Sequence, residues 1–502
     1  MSITGPGSLT AANLMAQTAM FNQLNTLSEQ LGTGKAAQTY SGLGPQAGLA
    51  LELNSQLSAL GGYSNTASIV GTTLSIGQSV LTQLGSSGSS VAQAISEQGA
   101  FTLDNNGQTS TQEAAASYLG QILSLLNTQA GTNYMFSGSA VNDPSVASVN
   151  DILNGTGAQA GLTQVIAQRA QADGVGALGR LLIPAVGAGS STVSVSQDAA
   201  SSPFGFQLAG VNSSLTGAVV SGPSGSPPSI SVDLGSVPNN GDAISFEFSL
   251  PDGSSQTITL QATTNAPPGA NQFTIGPDAQ TTAANLQAAL SGAVTTLAQT
   301  ALPAASAAAA AQNFFSVPPQ VVQGNPATAT ALTDGTPANT VFWYTGENGS
   351  TPARQTATAE VGPSVGVAYG MRADEPALTA LVQNVAVLAA TTYSPSDPNA
   401  QASYQALSRN VLANLDGQSG TQSISDIEAD LANAQTAVQN ATTLNTQTQT
   451  TLQGMLQGID GIDQNTIGEQ ILTLQNSLSA SMSVTARLAQ LSLVNYLAPV
   501  GG

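Results

Sequence analysis

The chain has 502 residues, with 27 Asp and Glu against 7 Lys and Arg, a net charge of −20, and neither cysteine nor histidine. So acidic a chain, with no Lys/Arg cluster, is not expected to bind nucleic acid or anionic lipid, and it has no thiol or imidazole for disulfides, thiolate catalysis or a histidine metal site. Charged residues make up only 7%, yet 41% are hydrophobic and fall in periodic tracts, so the chain reads as folded, with Ser, Thr, Gln and Asn carrying solubility.

The start, Met1-Ser-Ile-Thr-Gly-Pro-Gly7, has no basic segment followed by an apolar run, so a Sec-type signal is not expected. From about Ser8 to Leu31, Met20, Leu24, Leu27 and Leu31 follow a helical rhythm that Gly32 and Gly34 should end. After the loop Tyr40–Pro45, a second helix is predicted from Gln46 to Glu97. Leu53, Leu60, Ala67, Leu74 and Leu81 form one seven-residue track, with Tyr63, Val70, Leu84 and Val91 on its companion and Gly77 as a gap. Its glycines each weaken a helix by about 1 kcal/mol relative to Ala, so packing has to hold it. The turn Asp104–Gly107 precedes a third helix, Thr111 to Gln129, carrying Leu119, Ile122 and Leu126.

Character changes after Tyr134–Gly138, and residues 185–375 are rich in Gly, Ser, Pro and Thr. Ile244, Phe246, Phe248 and Leu250 alternate with polar residues, then Pro251-Asp-Gly253, then Ile258, Leu260 and Ala262, which predicts a β-hairpin. Asn285 to Ala298 reads as a helix, Ala307 to Ala311 as linker or helix, and Val341–Tyr344 as a buried strand. Helices return with Leu378, Val382, Val385 and Leu388, then Ala400 to Leu415. The most apolar stretch, Ala377–Ala390, is interrupted by Gln383 and Asn384, so no stable membrane insertion is expected.

From Ile424 to Ile462 two heptad tracks stay in phase. One is Ile424, Leu431, Val438, Asn445, Leu452, Ile459; the other is Ile427, Ala434, Ala441, Thr448, Met455, Ile462. Ser425-x-x-Glu428 reads as a capping box at the helix start. Thr466-x-x-Glu469 reads as a second box, at a phase slip that opens a terminal helix with Ile467, Ile471, Leu474, Leu478, Val484, Leu488 and Leu491.

The expected fold is mainly α: an antiparallel coiled-coil-like bundle formed by both chain ends, with an inserted β-rich α+β outer region. The parts are an N-terminal assembly helix (1–45), bundle halves (46–184 and 374–464), the insertion (185–373) and a C-terminal assembly helix (465–502). Met20, Leu24, Leu27, Leu31, Ile471, Leu474, Leu478, Leu488 and Leu491 are expected to pack between subunits. Leu53, Leu60, Leu74, Leu81, Ile424, Ile427, Leu431, Val438, Leu452, Met455 and Ile459 are expected in the bundle core, where Asn445 and Thr448 could set register. The terminal helices are expected to gain order only on assembly.

Catalytic chemistry finds little footing. Asp426, Glu428 and Asp430 suit the first turn of a helix, and Asp460, Asp463 and Asn465 lack the ligand spacing of an EF-hand. Glu347 would need a facing carboxylate for glycosidase chemistry, and Glu360, Asp374 and Glu375 are not placed by spacing. Arg354 and Arg372 read as local ion-pair partners; the one lysine, Lys35, is not set to activate a hydroxyl. Gly222–Gly225 lacks a P-loop lysine. No catalytic, cofactor or metal residue is named, and the chain reads as a building block rather than an enzyme.

Leu31-Gly-Thr-Gly-Lys35, a loop, and Ala47-Gly-Leu-Ala-Leu51 opening a long helix resemble the N-terminal region of the flagellin superfamily. Asn133-Tyr-Met-Phe-Ser-Gly-Ser139 resembles the family's turn after its third helix. Ala489-Gln-Leu-Ser-Leu-Val-Asn-Tyr-Leu497 is more similar to the hook-associated protein 3 branch than to filament flagellin, and Asn339–Tyr344 and Val365–Arg372 resemble alphaproteobacterial members. The likeness covers roughly 1–140 and 340–502; Ser41 to Gln46 depart from the charged pattern usual there. The resemblance implies terminal helices forming an inner tube and unfolded export through the flagellar type III apparatus. It implies an extracellular place at the hook–filament junction. The partners implied are copies of itself, a neighbouring hook-associated protein, flagellin and an export chaperone. The alternatives are filament flagellin and, in another class, a secreted adhesin working through the insertion.

Overall fold

A computed structural model describes the backbone of residues 6–415 and 420–496 and the side chains of 11–415 and 420–490. It is a mixed α and β protein, about 53% helical, with several small antiparallel sheets. In chain order come α1 (Pro6–Thr33), α2 (Ala47–Ser96), α3 (Ser110–Leu126), β1 (Gln129–Ala130), β2 (Asn133–Tyr134), α4 (Val149–Asn154) and α5 (Leu162–Ala172). Then follow β3 (Leu181–Leu182), β4 (Thr192–Gln197), β5 (Gln207–Ser213), β6 (Ala218–Ser224), β7 (Ser229–Leu234), β8 (Ala243–Ser249), β9 (Ser255–Thr263) and β10 (Gln272–Thr274). The rest is α6 (Ala279–Phe314), β11 (Gln320–Val322), β12 (Leu332–Asp334), β13 (Thr358–Gly362), β14 (Val365–Ala368), α7 (Pro376–Ala390), α8 (Ala400–Leu415), α9 (Ile424–Asp460) and α10 (Gln464–Tyr496).

Two compact units emerge, one from Met1–Gly71, Ala359–Val367 and Thr436–Gly502, the other from Thr72–Thr358 and Ala368–Gln435. The divisions fall inside α2 and α9 rather than at element ends.

The first unit holds α1, α10, the start of α2, the end of α9 and most of the β13–β14 hairpin. Leu53, Leu60 and Leu452 form a small core with Leu57, Tyr63, Leu456 and Ile459 against it. Asn445 is buried, and its amide donates to the Val361 carbonyl of β13 at 2.8 Å. Its polar place on an apolar track is thus explained by a hairpin 84 residues away. Met455, expected in the core, is 52% exposed, and Leu456 packs in its stead. A helix of 3.6 residues per turn drifts about 20° per heptad, and four heptads from Ile427 carry the track off the buried stripe.

In the second unit, α2 buries Leu74, Leu81, Leu84 and Val91, and Ile427 and Leu431 of α9 are fully buried while Ile424 is half-buried. Gly77 and Gly88 are where side chains press closest. A Cβ on Gly77 would meet Met371 Sδ at 2.8 Å, and one on Gly88 would meet Leu381 Cδ1 at 2.9 Å, whereas Gly85 faces open space. Gly85→Ala is therefore expected to stabilise this unit by about 1 kcal/mol in urea unfolding, and Gly77→Ala is expected to give no such gain.

Two four-stranded sheets, ordered β3-β4-β7-β6 and β10-β9-β8-β5, share one core with α6. The predicted hairpin is present, with Ile244 opposite Leu260 and Phe246 opposite Ile258. Leu286, Leu290, Val294, Ala298 and Leu302 recur every fourth residue of α6 and are fully buried. Ala307–Ala311 continue this helix and are buried too, where α5, α7 and α8 pack on it; small side chains permit that close approach. Asp278 caps α6 by accepting from Thr281 N at 2.7 Å, and this hydrogen bond holds its carboxyl below the usual range. A depressed folded pKa means stability present above the unfolded value and lost as pH falls through the folded one. Asp278→Asn, itself a good cap, is expected to flatten the stability loss below about pH 4 while changing little at neutral pH.

Three further expectations need correction. Val341–Tyr344 is largely buried but forms no strand: Trp343 packs edge-on to Phe315 and donates Nε1–H to its carbonyl at 2.9 Å, and the ladder-like contacts are isolated ones, the bridge of Tyr344 to Val146 and the bond from Val341 N to the Ala160 carbonyl at 3.1 Å. The α9 cap is Ser423 with Asp426, reciprocally bonded at 3.2 and 2.8 Å, not Ser425 with Glu428. The α10 cap is Asp463, which accepts from Asn465 N at 3.0 Å, rather than Thr466 with Glu469. Each misassignment is two or three residues late, because the spacing of a capping box does not say which hydroxyl or carboxylate precedes the first turn.

Candidate functional site

The terminal helices of the first unit pair with each other although they lie at opposite ends of the sequence. Gln17 donates to Thr485 Oγ1 at 2.9 Å and Ser481 Oγ at 3.4 Å. Leu27 and Leu478 are buried; Met20, Leu24, Ile471 and Leu474 are half-buried. So six residues expected to pack between subunits lie wholly or partly in a seam within the chain. Leu31 and Leu488 are exposed, and the Leu491 side chain lies outside the described residues.

Both helices also leave apolar side chains in solvent. Leu14, Met15 and Phe21 of α1 are exposed, Met15 by 75%, as are Leu472, Met482 and Val484 of α10. Leu14 and Phe21, seven apart, share one flank of α1. The heptad reading placed Val484 on the terminal-helix stripe but missed Leu14, Met15, Phe21, Leu472 and Met482, which sit off it. Their signal was the presence of apolar residues on more than one face of a helix at the chain end. The base of the pair is fastened where α1 ends and α9 turns into α10. Gly34, at φ +71, closes α1; Ala36 N donates to the Asp460 carbonyl at 2.6 Å, and Lys35 Nζ lies 3.3 Å from the Asp460 carboxylate.

In the second unit the side chains considered for chemistry are engaged structurally. Glu347 accepts from Ser139 N at 2.9 Å, and that bond holds its carboxyl below the usual range. Arg372 holds Asp374 at 2.5 Å and lies over the Tyr344 ring, while burial pushes the Tyr344 hydroxyl far up. Arg354 pairs with Glu375 and reaches toward Asp430 at 3.9 Å. Arg354 and Arg372 are thus the ion-pair partners expected, and Glu428 accepts from Thr82 at 3.1 Å. An open groove of about 600 Å³ lies among Asp252, Gln256, Thr300, Gln405 and Arg409, where Asp252 is taken by Asn410 at 2.5 Å. Among the described residues no group of three or more acidic, His or Cys side chains could hold a metal ion, and no helix is long and apolar enough to cross a membrane.

Sequence reasoning missed α4, α5 and the β3–β7 sheet, and with them the ion pair of Arg169 and Asp173 at 2.9 Å, buried in the interior. The alternation Val193, Val195 and Ile230, Val232, Leu234 was the strand signal, and the four-residue spacing of Arg169 and Asp173 the signal for the pair.

A scan against protein-family models gave no match for this chain, and a search of the curated proteins gave none.

Proposed function

We propose that the chain is a structural subunit of the bacterial flagellum, of the hook–filament junction type, and not an enzyme. It acts outside the cell after type III export, and its partners are its own copies, a neighbouring hook-associated protein and flagellin, with an export chaperone beforehand. In this reading both chain ends form an antiparallel coiled-coil-like bundle, and the β-rich part stands outside it. One observation carries the reading: α1 and α10 meet along a single seam yet leave Leu14, Met15, Phe21, Leu472, Met482 and Val484 in solvent. Exposed apolar side chains on a paired rod are unsatisfied until another helix covers them, and contacts that do not close on themselves give a continuing assembly.

The test is electron microscopy of cells lacking the gene. Hooks without filaments, together with secretion of an intact flagellin, support the junction role. Loss of the major filament protein itself points to the alternative, filament flagellin. Normal filaments overturn both.

A further inference from the structure

The outer face of α10 carries one anion and one cation at a spacing that fits a second copy of this chain. Glu469 and Arg487 are both exposed and lie eighteen residues apart, five turns or about 27 Å along the helix. Each is nine residues from the buried Leu478, two and a half turns, so both point away from the seam with α1. Leu472 and Val484, 62% and 52% exposed, flank them, and Asn476, Ala480 and Ser483 leave the surface between them low. The helix dipole does not account for the two charges: Glu469 lies beyond the first turn and Arg487 well before the last, where that effect has faded. Lys35 and Arg487 are the cations of this unit, and Lys35 is taken by Asp460. Arg487 has no ion pair among the described residues. In a chain of net charge −20, it is the positive point this unit offers to an acidic neighbour.

We propose that copies dock through this face with their α10 helices parallel and offset by five turns, Arg487 of one copy meeting Glu469 of the next. This rests on the assembly reading above and deepens it by fixing partner, polarity and offset. An antiparallel pair would satisfy both charges at once and close as a dimer. The parallel offset leaves one Glu469 and one Arg487 free at the ends, so the contact continues in one direction.

The chain has no cysteine, so Glu469→Cys combined with Arg487→Cys can be joined by a short bis-maleimide in isolated axial structures. A ladder of covalent oligomers is expected; dimers alone, or no product, overturn the proposal. In parallel, Arg487→Glu and Glu469→Arg should each lower incorporation about tenfold at equal secretion, and the double reversal should restore it. If wild type is incorporated and Arg487→Glu is incorporated equally, the pairing is wrong and the assembly reading stands. If wild type is absent from axial structures, the assembly reading fails and the pairing falls with it.

Discussion

Leu27→Asp and Leu478→Asp are each expected to reduce incorporation into the axial structure to background, with the thermal transition of the second unit unchanged. Among the described side chains of α1 and α10 the two leucines are the most deeply covered in the seam, 7% and 8% exposed. Burying such a side chain contributes roughly 1.5–3 kcal/mol, and a carboxylate in its place adds an uncompensated desolvation cost. Among the described residues the seam has no other fully buried side chain to absorb that loss. Before assembly the same helices are expected to be poorly protected, because a two-helix seam half-exposed along its length is a low-stability unit. Hydrogen exchange on the monomer should show fast exchange over Leu24–Leu31 and Ile471–Leu491 against slow exchange over β8, β9 and α6. Equal protection of the two regions would contradict this.

Asp173→Ala is expected to destabilise the second unit by about 3–5 kcal/mol, because it leaves a buried guanidinium without its counter-charge. Asp173 Oδ2 lies 2.9 Å from Arg169 Nε, and Asp173 Oδ1 also accepts from Gly205 N at 2.9 Å. Arg169 reaches Asn313 Oδ1 at 2.8 Å and the Pro203 carbonyl at 2.9 Å, with its guanidinium over the Phe204 ring. The pair therefore ties α5 and α6 to the loop before β5. Replacing both partners, Arg169→Met with Asp173→Leu, is expected to cost far less, since no charge is then stranded. Urea unfolding of the two variants measures this; a single variant within about 1 kcal/mol of wild type would show that water reaches the site.

Where one face of an element is buried along its whole length, the sequence periodicity located it. The tracks Leu53–Leu81 and Val70–Val91 are buried in α2, α8 runs from Ala400 to Leu415 as expected, and the hairpin register places Phe246 and Ile258 opposite each other. Three kinds of feature were not legible. Asn445 and Gln112 are buried and polar because of backbone carbonyls at Val361 and at Leu388 and Thr391, far away in the chain. The short elements of 149–234 have too few residues for a period to stand out, and Arg169 and Asp173 look like a surface pair until α6 covers them. The candidate surface was half legible. Leu24, Leu27, Leu474 and Leu478 were found because they follow the stripe. The outward residues Met15, Phe21, Leu472 and Met482 were not, because a heptad pattern reports the face a helix turns to its first partner and is silent about a second.

The measurement closest to the centre of this account is incorporation of a chain lacking both α1 and α10, secreted at the level of the full chain. The shortened chain is expected in the medium and absent from the axial structure. Its presence there in normal amount would contradict the claim that the paired terminal helices carry assembly.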